Sequence, residues 1–453
     1  MSPEEKIRLA TVSLQTPAGS SERFSTFAAV RQNHEAFVVA CHDTWKKLQS
    51  TAIRELFYFD GFARREQTHP IGHGTAEYAN YYRAVWRRVN DSIVWSLFGA
   101  QRHVVKRLCL YRRRTYLTES NATSVVRTLD ALNTNPLSFA LWNDATSCVD
   151  VGDVTYIEDG RMPVPIFIEL KEGRVNHEIL DLLNLEGVEF NTAFKNFSER
   201  YSDRGIKQFH RVLRQKRISN QALTLLAEER GVDPVTGQDM EVVDVGADVD
   251  TYDETLNKLC SRSIATKSEV FELNAGCVWI YANADPNVNS VTAVERFVEL
   301  LKKNGVTSLP TRGSPRPAWD KDRIVTLRSG VFFPMAKPLF LRPLDADISA
   351  SLTFGELSHK TFLYLDWERF MEVAAAAGAR LRWSSEKAAR RARSVKPAMR
   401  PPVFRGRLAE VHVGGLTTYI TDPGLVQIYF DGVTPGTLIK KLIRMAEHVP
   451  LKK

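Results

Sequence analysis

Residues 153–171 read DVTYIEDGRMPVPIFIELK and predict a β-hairpin. Residues 153–157 and 166–171 are rich in β-branched and aromatic side chains, and a Glu-Asp-Gly turn follows the first run. Because side chains alternate between the two faces of a strand, Glu169 and Lys171 share one face at the end of an apolar strand. Charges in such a place are costly unless they have a partner or a function.

The residue types in this hairpin suit phosphodiester chemistry. Carboxylates from two neighbouring strands, Asp153 and Glu169, can supply oxygen ligands to a divalent metal ion. A lysine beside them, Lys171, can activate a water or neutralise charge that develops on a phosphate. The alternative is a plain hairpin in which Glu169 and Lys171 form an exposed ion pair, worth about 0–1 kcal/mol.

Asp153, Glu169-Leu170-Lys171 and the apolar strand before them resemble the motif of the restriction-endonuclease-like (PD-(D/E)xK) nuclease superfamily. The resemblance implies an α/β fold with an α-β-β-β-α-β core. It also implies a metal-dependent endonuclease that hydrolyses phosphodiester bonds in DNA, in bacterial defence or repair. The implied cofactor is Mg²⁺ or Mn²⁺, held by Asp153 and Glu169, with Lys171 as the catalytic lysine.

Residues 202–217 follow the hairpin and predict a basic amphipathic helix. Apolar residues fit one helical face, and basic residues with helical spacing fit another. The apolar face consists of Phe209, Val212 and Leu213, and the basic face of Lys207, Arg211 and Arg214. The basic face is a candidate for binding nucleic acid, and the alternative is the solvated face of an ordinary amphipathic helix.

Two glutamines, Gln208 and Gln215, lie beside this basic row. In the nuclease superfamily, the helix after the Glu-x-Lys strand often carries a glutamine or a basic residue near the site. The resemblance therefore assigns an assisting catalytic role to Gln208, with Lys207 next to it.

Residues 75–110 predict one long helix that is apolar on two sides and therefore buried, with Asp91 near its middle. The superfamily usually places an acid on its first core helix, so the resemblance makes Asp91 a candidate third metal ligand. A departure from the family pattern is that Glu is more usual there. The alternative is a buried Asp91 paired with Arg87, Arg88 or a nearby hydroxyl group.

Two more acids precede the hairpin and are alternative metal ligands, Asp144 and Asp150. We prefer Asp153 because it opens the strand that pairs with the strand of Glu169. Asp150 is an odd number of residues away from Asp153 and would face the opposite side of a regular strand. A bulge at Gly152 would upset that count.

Two segments outside the hairpin region are rich in Lys and Arg. The first follows the predicted long helix, and the second, residues 380–407, contains a single acid. Basic clusters with few acids are the electrostatic footprint of a phosphate-binding surface, whereas a solvated helix end or a disordered loop is the alternative. The members are Arg102, Lys106, Arg107 and Arg112 to Arg114 in the first segment, and the nucleic-acid-binding candidates Arg390, Arg391 and Arg393 in the second.

Changes in composition predict the domain order. Residues 1–74 form a helical N-terminal region, and residues 75–305 form a nuclease-like core with an acidic, solvated insertion near 232–255. A strand over 271–282 and a helix over 290–304 complete that core. A linker rich in Pro, Arg and Gly, residues 306–322, leads to an α+β accessory domain over 323–453.

The composition is that of an ordinary globular protein, with 43% hydrophobic and 25% charged residues among 453. No run approaches the roughly 18 apolar residues of a membrane span, so we expect no membrane partner. Five scattered cysteines without a Cys-x-x-Cys pair predict free thiols and a cytoplasmic location.

A formal net charge of +8 suits nucleic acid, in particular DNA, as the partner, with a homodimer or a partner protein also compatible. A Walker phosphate loop and a serine nucleophile elbow are absent from the sequence, which argues against those two enzyme classes. The alternative function is a catalytically inactive nucleic-acid-binding or assembly protein on a nuclease-like fold.

Overall fold

The computed structural model describes residues 3–19, 32–68, 75–110, 116–117, 122–158, 165–170, 174–234, 237–241, 249–306, 324–354, 359–393, 403–404 and 407–448. The chain forms two compact units, which we call the hairpin unit (residues 17–242) and the C-terminal unit (residues 1–16 and 243–453). Helices and small antiparallel sheets build both units, so the fold is mixed α/β of the α+β kind. None of the helices described is long and apolar enough to cross a membrane.

Helix α1 (Pro3–Gly19) begins the chain, and its first residues belong to the C-terminal unit. Arg8 on α1 forms an ion pair with Asp347, and the side-chain amide of Gln15 donates a hydrogen bond of 2.8 Å to the carbonyl of Leu344. The predicted N-terminal region 1–74 is therefore helical where it is described, but it does not stay together as one domain.

The hairpin unit is mainly helical. Helices α2 and α3 pack along each other, with the rings of Phe59 and Tyr82 stacked at 5.0 Å. The long helix predicted over 75–110 is interrupted, because Gly99 and Ala100 adopt left-handed φ angles of 59° and 53°. The helices are α2 (His34–Thr68), α3 (Thr75–Leu97), α4 (Arg102–Leu108), α5 (Ala122–Leu132), α6 (Arg174–Leu182) and α7 (Gly187–Glu228).

The sheet of the hairpin unit is antiparallel, in the order β1 (Phe139–Trp142), β2 (Val154–Ile157), β3 (Ile166–Ile168). Side chains cover the outer edge of β1. Gln49 of α2 donates to the carbonyl of Ala140 and accepts from the amide of Trp142, at 3.1 and 2.9 Å. These bonds fix the sheet against α2 and satisfy backbone groups that would otherwise be buried without partners.

The C-terminal unit follows a small hairpin, β4 (Arg230–Val232) and β5 (Asp239–Glu241), which ends the hairpin unit. One sheet has the order β6-β7-β9-β8, and the other has the order β10-β12-β11 with β13 beside β12. The elements are α8 (Asp253–Thr266), β6 (Glu269–Asn274), β7 (Val278–Asn283), α9 (Ser290–Lys303), β8 (Val325–Thr326), α10 (Ala346–Thr353), β9 (Lys360–Leu365), α11 (Trp367–Ala376), β10 (Arg380–Trp383), α12 (Glu386–Arg393), β11 (Val403–Phe404), β12 (Arg407–Val413), β13 (Leu416–Tyr419), α13 (Asp422–Tyr429) and α14 (Pro435–His448).

The strand predicted over 271–282 is present as the β6–β7 pair, but the prediction that it completes the nuclease core is wrong. β7 pairs along its whole length with β9, from Val278 opposite Leu365 to Asn283 opposite Lys360. Apolar side chains on both faces of β7 bury into the cores of the C-terminal unit. The predicted boundary near residue 305 therefore falls inside this unit, whereas β1, β2, β3 and the helices around them remain in the hairpin unit.

Part of the acidic segment near 232–255 is also corrected, because Asp253 is buried and not solvated. The guanidinium of Arg342 donates to the carboxylate of Asp253 through Nε at 2.7 Å. Gly432 lies against this pair with a φ of 74°, and a Cβ there would approach Arg342 Nη2 to 2.6 Å. A buried ion pair of this kind needs close packing, since each charge has lost its hydration.

Candidate metal and nucleic-acid site

The predicted hairpin is present as β2 and β3, and both predicted carboxylates lie at its open end, Asp153 just before β2 and Glu169 just after β3. Val154 pairs with Ile168, and Tyr156 pairs with Ile166. The amide of Asp153 donates to the carbonyl of Ile168 at 2.9 Å, although Ile168 already pairs with Val154, so the regular ladder ends here in a bulge. Asp153 therefore contacts the residue before Glu169, and its side chain contacts the residue after it, Leu170.

Both carboxylates are held by hydrogen bonds. Asp153 Oδ2 accepts from the amide of Leu170 at 2.6 Å, and Glu169 Oε1 accepts from Gln215 Nε2 at 2.9 Å. Gly152, just before Asp153, has a φ of 69°, and a Cβ there would lie 3.2 Å from the carbonyl of Ile168. The close approach of the two chains at the carboxylates therefore favours glycine at this position.

Gln215, and not Gln208, reaches the hairpin. The side chain of Gln208 instead donates to Asn176 Oδ1 at 2.9 Å. The two glutamines are seven residues apart and so share a helical face, separated by about 10 Å along the axis at about 1.5 Å per residue. The sequence predicts the shared face of the two glutamines, but the one in contact with the hairpin is Gln215 and not Gln208.

The helix that carries Gln215 begins after a break. Helix α7 consists of two helical parts joined at Ser202, whose φ of 49° and ψ of −154° are not helical. In the second part Phe209 and Val212 are buried as predicted, whereas Leu213 is 37% exposed. The apolar face is therefore narrower than the sequence suggested.

A row of cations, which we call the basic stripe, runs along the second part of α7. It consists of Arg204, Lys207, Arg211 and Arg214, all exposed and spaced to share one side of the helix. The sequence contains no acid between Asp203 and Glu228. Among the residues that the structure describes, none forms an ion pair with a member of the stripe. Gln215 lies beside the stripe. Helix α7 therefore carries both the basic stripe and the side chain that bonds to Glu169 of the hairpin.

Asp91 is a structural residue and does not join this pair of carboxylates. It is fully buried and forms an ion pair with Arg88 at 2.7 Å. Its Oδ1 accepts from the amides of Ser147 and Cys148 at 2.7 and 3.2 Å, and its Oδ2 accepts from the Ser147 hydroxyl. The carboxylate thus fixes the turn before the hairpin, which is the alternative that we weighed for it.

The other two acids near the hairpin are also engaged elsewhere. Asp150 is buried, and its carboxylate accepts from the amide of Leu110 at 2.6 Å. Its own amide donates to the carbonyl of Leu108 at 2.8 Å, so Asp150 ties the chain to the end of α4. Asp144 lies in a short 3₁₀ turn, Asn143–Ala145, whose backbone accepts from Arg87.

The first basic segment includes a buried cation. Arg107 on α4 donates through Nη1 to the carbonyl of Leu225 on α7 at 2.9 Å. Desolvation lowers the pKa of Arg107, and the charges of Glu229 and Asp233 oppose this shift. Arg107 therefore holds the end of α7 and cannot bind phosphate, while Arg112 to Arg114 lie outside the described residues.

The second basic segment is partly regular structure. Residues 380–383 form β10, where Arg382 forms an ion pair with Glu410 at 3.1 Å. Arg390 and Arg391 are exposed on α12, and Arg390 lies 4.0 Å from Glu386. The side chain of Arg393 lies outside the part of the chain that is described. These cations belong to the C-terminal unit and not to the unit of the basic stripe.

The two carboxylates of the hairpin suit Mg²⁺ better than they suit a metal ion whose ligands all come from the protein. In the described ranges, no group of three or more His, Cys, Asp or Glu could hold a metal ion. Mg²⁺ usually binds through one or two carboxylates and completes its shell with waters and substrate phosphates. Asp153 and Glu169 are such a pair of carboxylates, and Lys171 lies just beyond the described residues.

All five cysteines are buried free thiols, as predicted. Burial, and then the charge of Asp91, raise the pKa of the Cys148 thiol well above its ordinary value. Comparison of the chain with protein-family models, with curated proteins and with solved structures finds no match.

Proposed function

We propose that the protein is a metal-dependent endonuclease that hydrolyses phosphodiester bonds, with Asp153 and Glu169 as its metal-binding carboxylates. The observation that supports it most is the hydrogen bond between Glu169 and Gln215, which joins the acidic hairpin to the helix of the basic stripe. Hydrolysis of a nucleic acid needs both parts, because carboxylates hold the metal and cations hold the phosphate backbone.

In this proposal the chain's own residues position the reacting groups. The amide of Leu170 orients Asp153, and the side chain of Gln215 orients Glu169. Preorganised carboxylates need little rearrangement when a substrate arrives. Bound Mg²⁺ would polarise a phosphoryl oxygen and make water a better nucleophile. Lys171 is assigned the role of orienting that water or neutralising charge on the phosphate, from its place in the sequence.

The basic stripe is the proposed contact with the substrate backbone. Ten residues separate Arg204 from Arg214, or about 15 Å at about 1.5 Å per residue. That length covers about four phosphates of one DNA strand at about 3.4 Å each. DNA is the proposed substrate, and a role in defence or repair follows from analogy with the superfamily that the hairpin resembles.

A second candidate is a nucleic-acid-binding protein without catalysis. Cations without acidic partners favour it, since they bind phosphates whether or not a metal is present. The two candidates differ in one respect, because only the nuclease needs the carboxylates of the hairpin. Binding by the second candidate is independent of Asp153 and Glu169.

The test is to incubate the full chain with supercoiled plasmid and with single-stranded DNA, in Mg²⁺, Mn²⁺ or EDTA. We expect cleavage that requires metal and that is lost in Glu169→Ala and Lys171→Ala variants with unchanged circular dichroism. Binding without cleavage, unaffected by metal or by either substitution, would favour the second candidate. A chain that neither binds nor cleaves would contradict both.

A further inference from the structure

A small cavity lies in the C-terminal unit, away from the hairpin in sequence and in the other unit. Its volume is about 100 Å³. It lies between the start of β9, the start of α9 and the segment that follows β8. Polar and charged side chains line it together with apolar ones: Ser290, Thr326, Arg328, His359, Lys360 and Thr361, with Leu327, Leu352 and Phe362.

His359 is the unexplained group in this cavity. Its side chain is 1% exposed, and neither ring nitrogen has a hydrogen-bond partner among the described residues. An unsatisfied buried polar group costs about 1–3 kcal/mol. Native structures avoid that cost, so a buried imidazole that faces a cavity indicates that something polar occupies it.

The surroundings of the cavity favour negative charge. Lys360 is 5% exposed, and its ammonium donates to the backbone carbonyl of Asp285 at 3.2 Å. Arg328 is a second lining cation, and the lining residues that the structure describes include no Asp or Glu. Ser290 is the first residue of the 14-residue helix α9, whose amides and dipole attract anions.

We propose that this cavity binds a small oxyanion, with Lys360 and His359 as its donors and the positive end of the α9 dipole beside it at Ser290. The volume rules out a nucleotide, since one water occupies about 30 Å³ of liquid. A free phosphate and the carboxylate of a small organic acid share the required chemistry.

Isothermal titration of the full chain with inorganic phosphate and with acetate, at constant ionic strength, tests the proposal. We expect saturable binding of at least one anion to one site. Lys360→Met and His359→Leu should each weaken it at least about ten-fold, because each removes a hydrogen bond to the charged ligand. Lys258→Met is the matched control, since Lys258 is exposed and pairs with Glu254.

The anion that binds identifies the class of ligand. Binding of phosphate but not acetate identifies a phosphoryl ligand, and the reverse identifies a carboxylate. Absence of saturable binding of either anion to the wild-type chain would overturn the proposal, as would equal affinity in both folded variants. If the variants do not fold, histidine NMR of the wild-type chain replaces them. The chemical shift of the His359 ring should then change as the anion is added and reach a plateau. A chemical shift that stays constant overturns the proposal.

Discussion

Gln215 on α7 donates a 2.9 Å hydrogen bond to Glu169 on the hairpin, while Gln208, seven residues earlier on the same helical face, donates to Asn176. Substitution of Gln208 is therefore a matched control for substitution of Gln215. We expect Gln215→Ala to reduce the rate of metal-dependent cleavage at least about ten-fold, because the loss of a hydrogen bond to a carboxylate costs about 1.5–3 kcal/mol. Gln208→Ala should leave the rate near that of the wild type.

Initial rates of plasmid cleavage at saturating Mg²⁺ make this comparison. Equal rates for the two variants would show that the contact with Glu169 has no part in activity. A larger loss in Gln208→Ala would return the assisting role to Gln208, where the sequence first placed it.

The basic stripe should determine how binding depends on salt. Each cation that contacts a phosphate contributes about 0.9 to the slope of log K against log salt for duplex DNA, and about 0.7 for a single strand. The triple variant Lys207→Ala, Arg211→Ala, Arg214→Ala should therefore lower that slope by about 2–3. Fluorescence anisotropy in EDTA measures binding without cleavage.

Lys302→Ala and Lys303→Ala in the last turn of α9 remove exposed cations elsewhere and serve as controls. A slope that falls equally in the control and in the triple variant would mean that net charge, and not the stripe, governs binding.

Asp91 should affect stability and not metal binding. Its replacement by Asn leaves the buried guanidinium of Arg88 without its counter-ion, and such a broken pair costs about 3–5 kcal/mol. Hydrogen exchange in peptides from α3 reports this cost, with the exposed Asp130→Asn as the control. If Asp91→Asn were stable and failed to bind Mn²⁺, the structural role would be wrong.

His359 should make the stability of the C-terminal unit depend on pH. Burial, and then the charge of Lys360, lower its pKa from 6.5 to about 4. Between these two values the unfolded chain holds a proton that the folded chain does not, so stability rises with pH. Full stability is present above about pH 6.5, and up to about 3 kcal/mol is lost as the pH falls to 4.

Hydrogen exchange in peptides from β7 and β9 should show this loss in the wild type and not in His359→Gln. The exposed His210→Gln provides the control for an imidazole on the surface. A wild-type opening free energy that is flat between pH 4 and 6.5 would contradict the lowered pKa.

Local sequence patterns predicted where strands and turns lie, but not which strands pair with each other. The turn and the alternation in 153–171 predicted the hairpin that is present as β2 and β3. The segment 271–282 is extended as predicted, but it forms two paired strands, β6 and β7, and not one. The other partner of β7, strand β9, lies about eighty residues later, and pairing over such a distance leaves no local signal.

In the candidate site, too, local positions were predictable and long-range contacts were not. The positions of Asp153 and Glu169 at the ends of β2 and β3 were predictable from the strand pattern, whereas their role as metal ligands stays a prediction. Asp91 was misassigned because a buried acid has the same sequence signal whether it binds a metal or an arginine. Gln215 and Gln208 occupy one helical face, and the choice between them depends on where the hairpin meets the helix, which the break at Ser202 helps to set.

The measurement that tests the central claim most directly is the binding of Mn²⁺ to the full chain, followed by electron paramagnetic resonance. We expect one site that is lost in Asp153→Asn and in Glu169→Gln. Glu158→Gln should retain it, since Glu158 is an exposed acid on the same hairpin. Mn²⁺ binding that is absent from the wild type, or equal in all three variants, would contradict a metal site formed by Asp153 and Glu169.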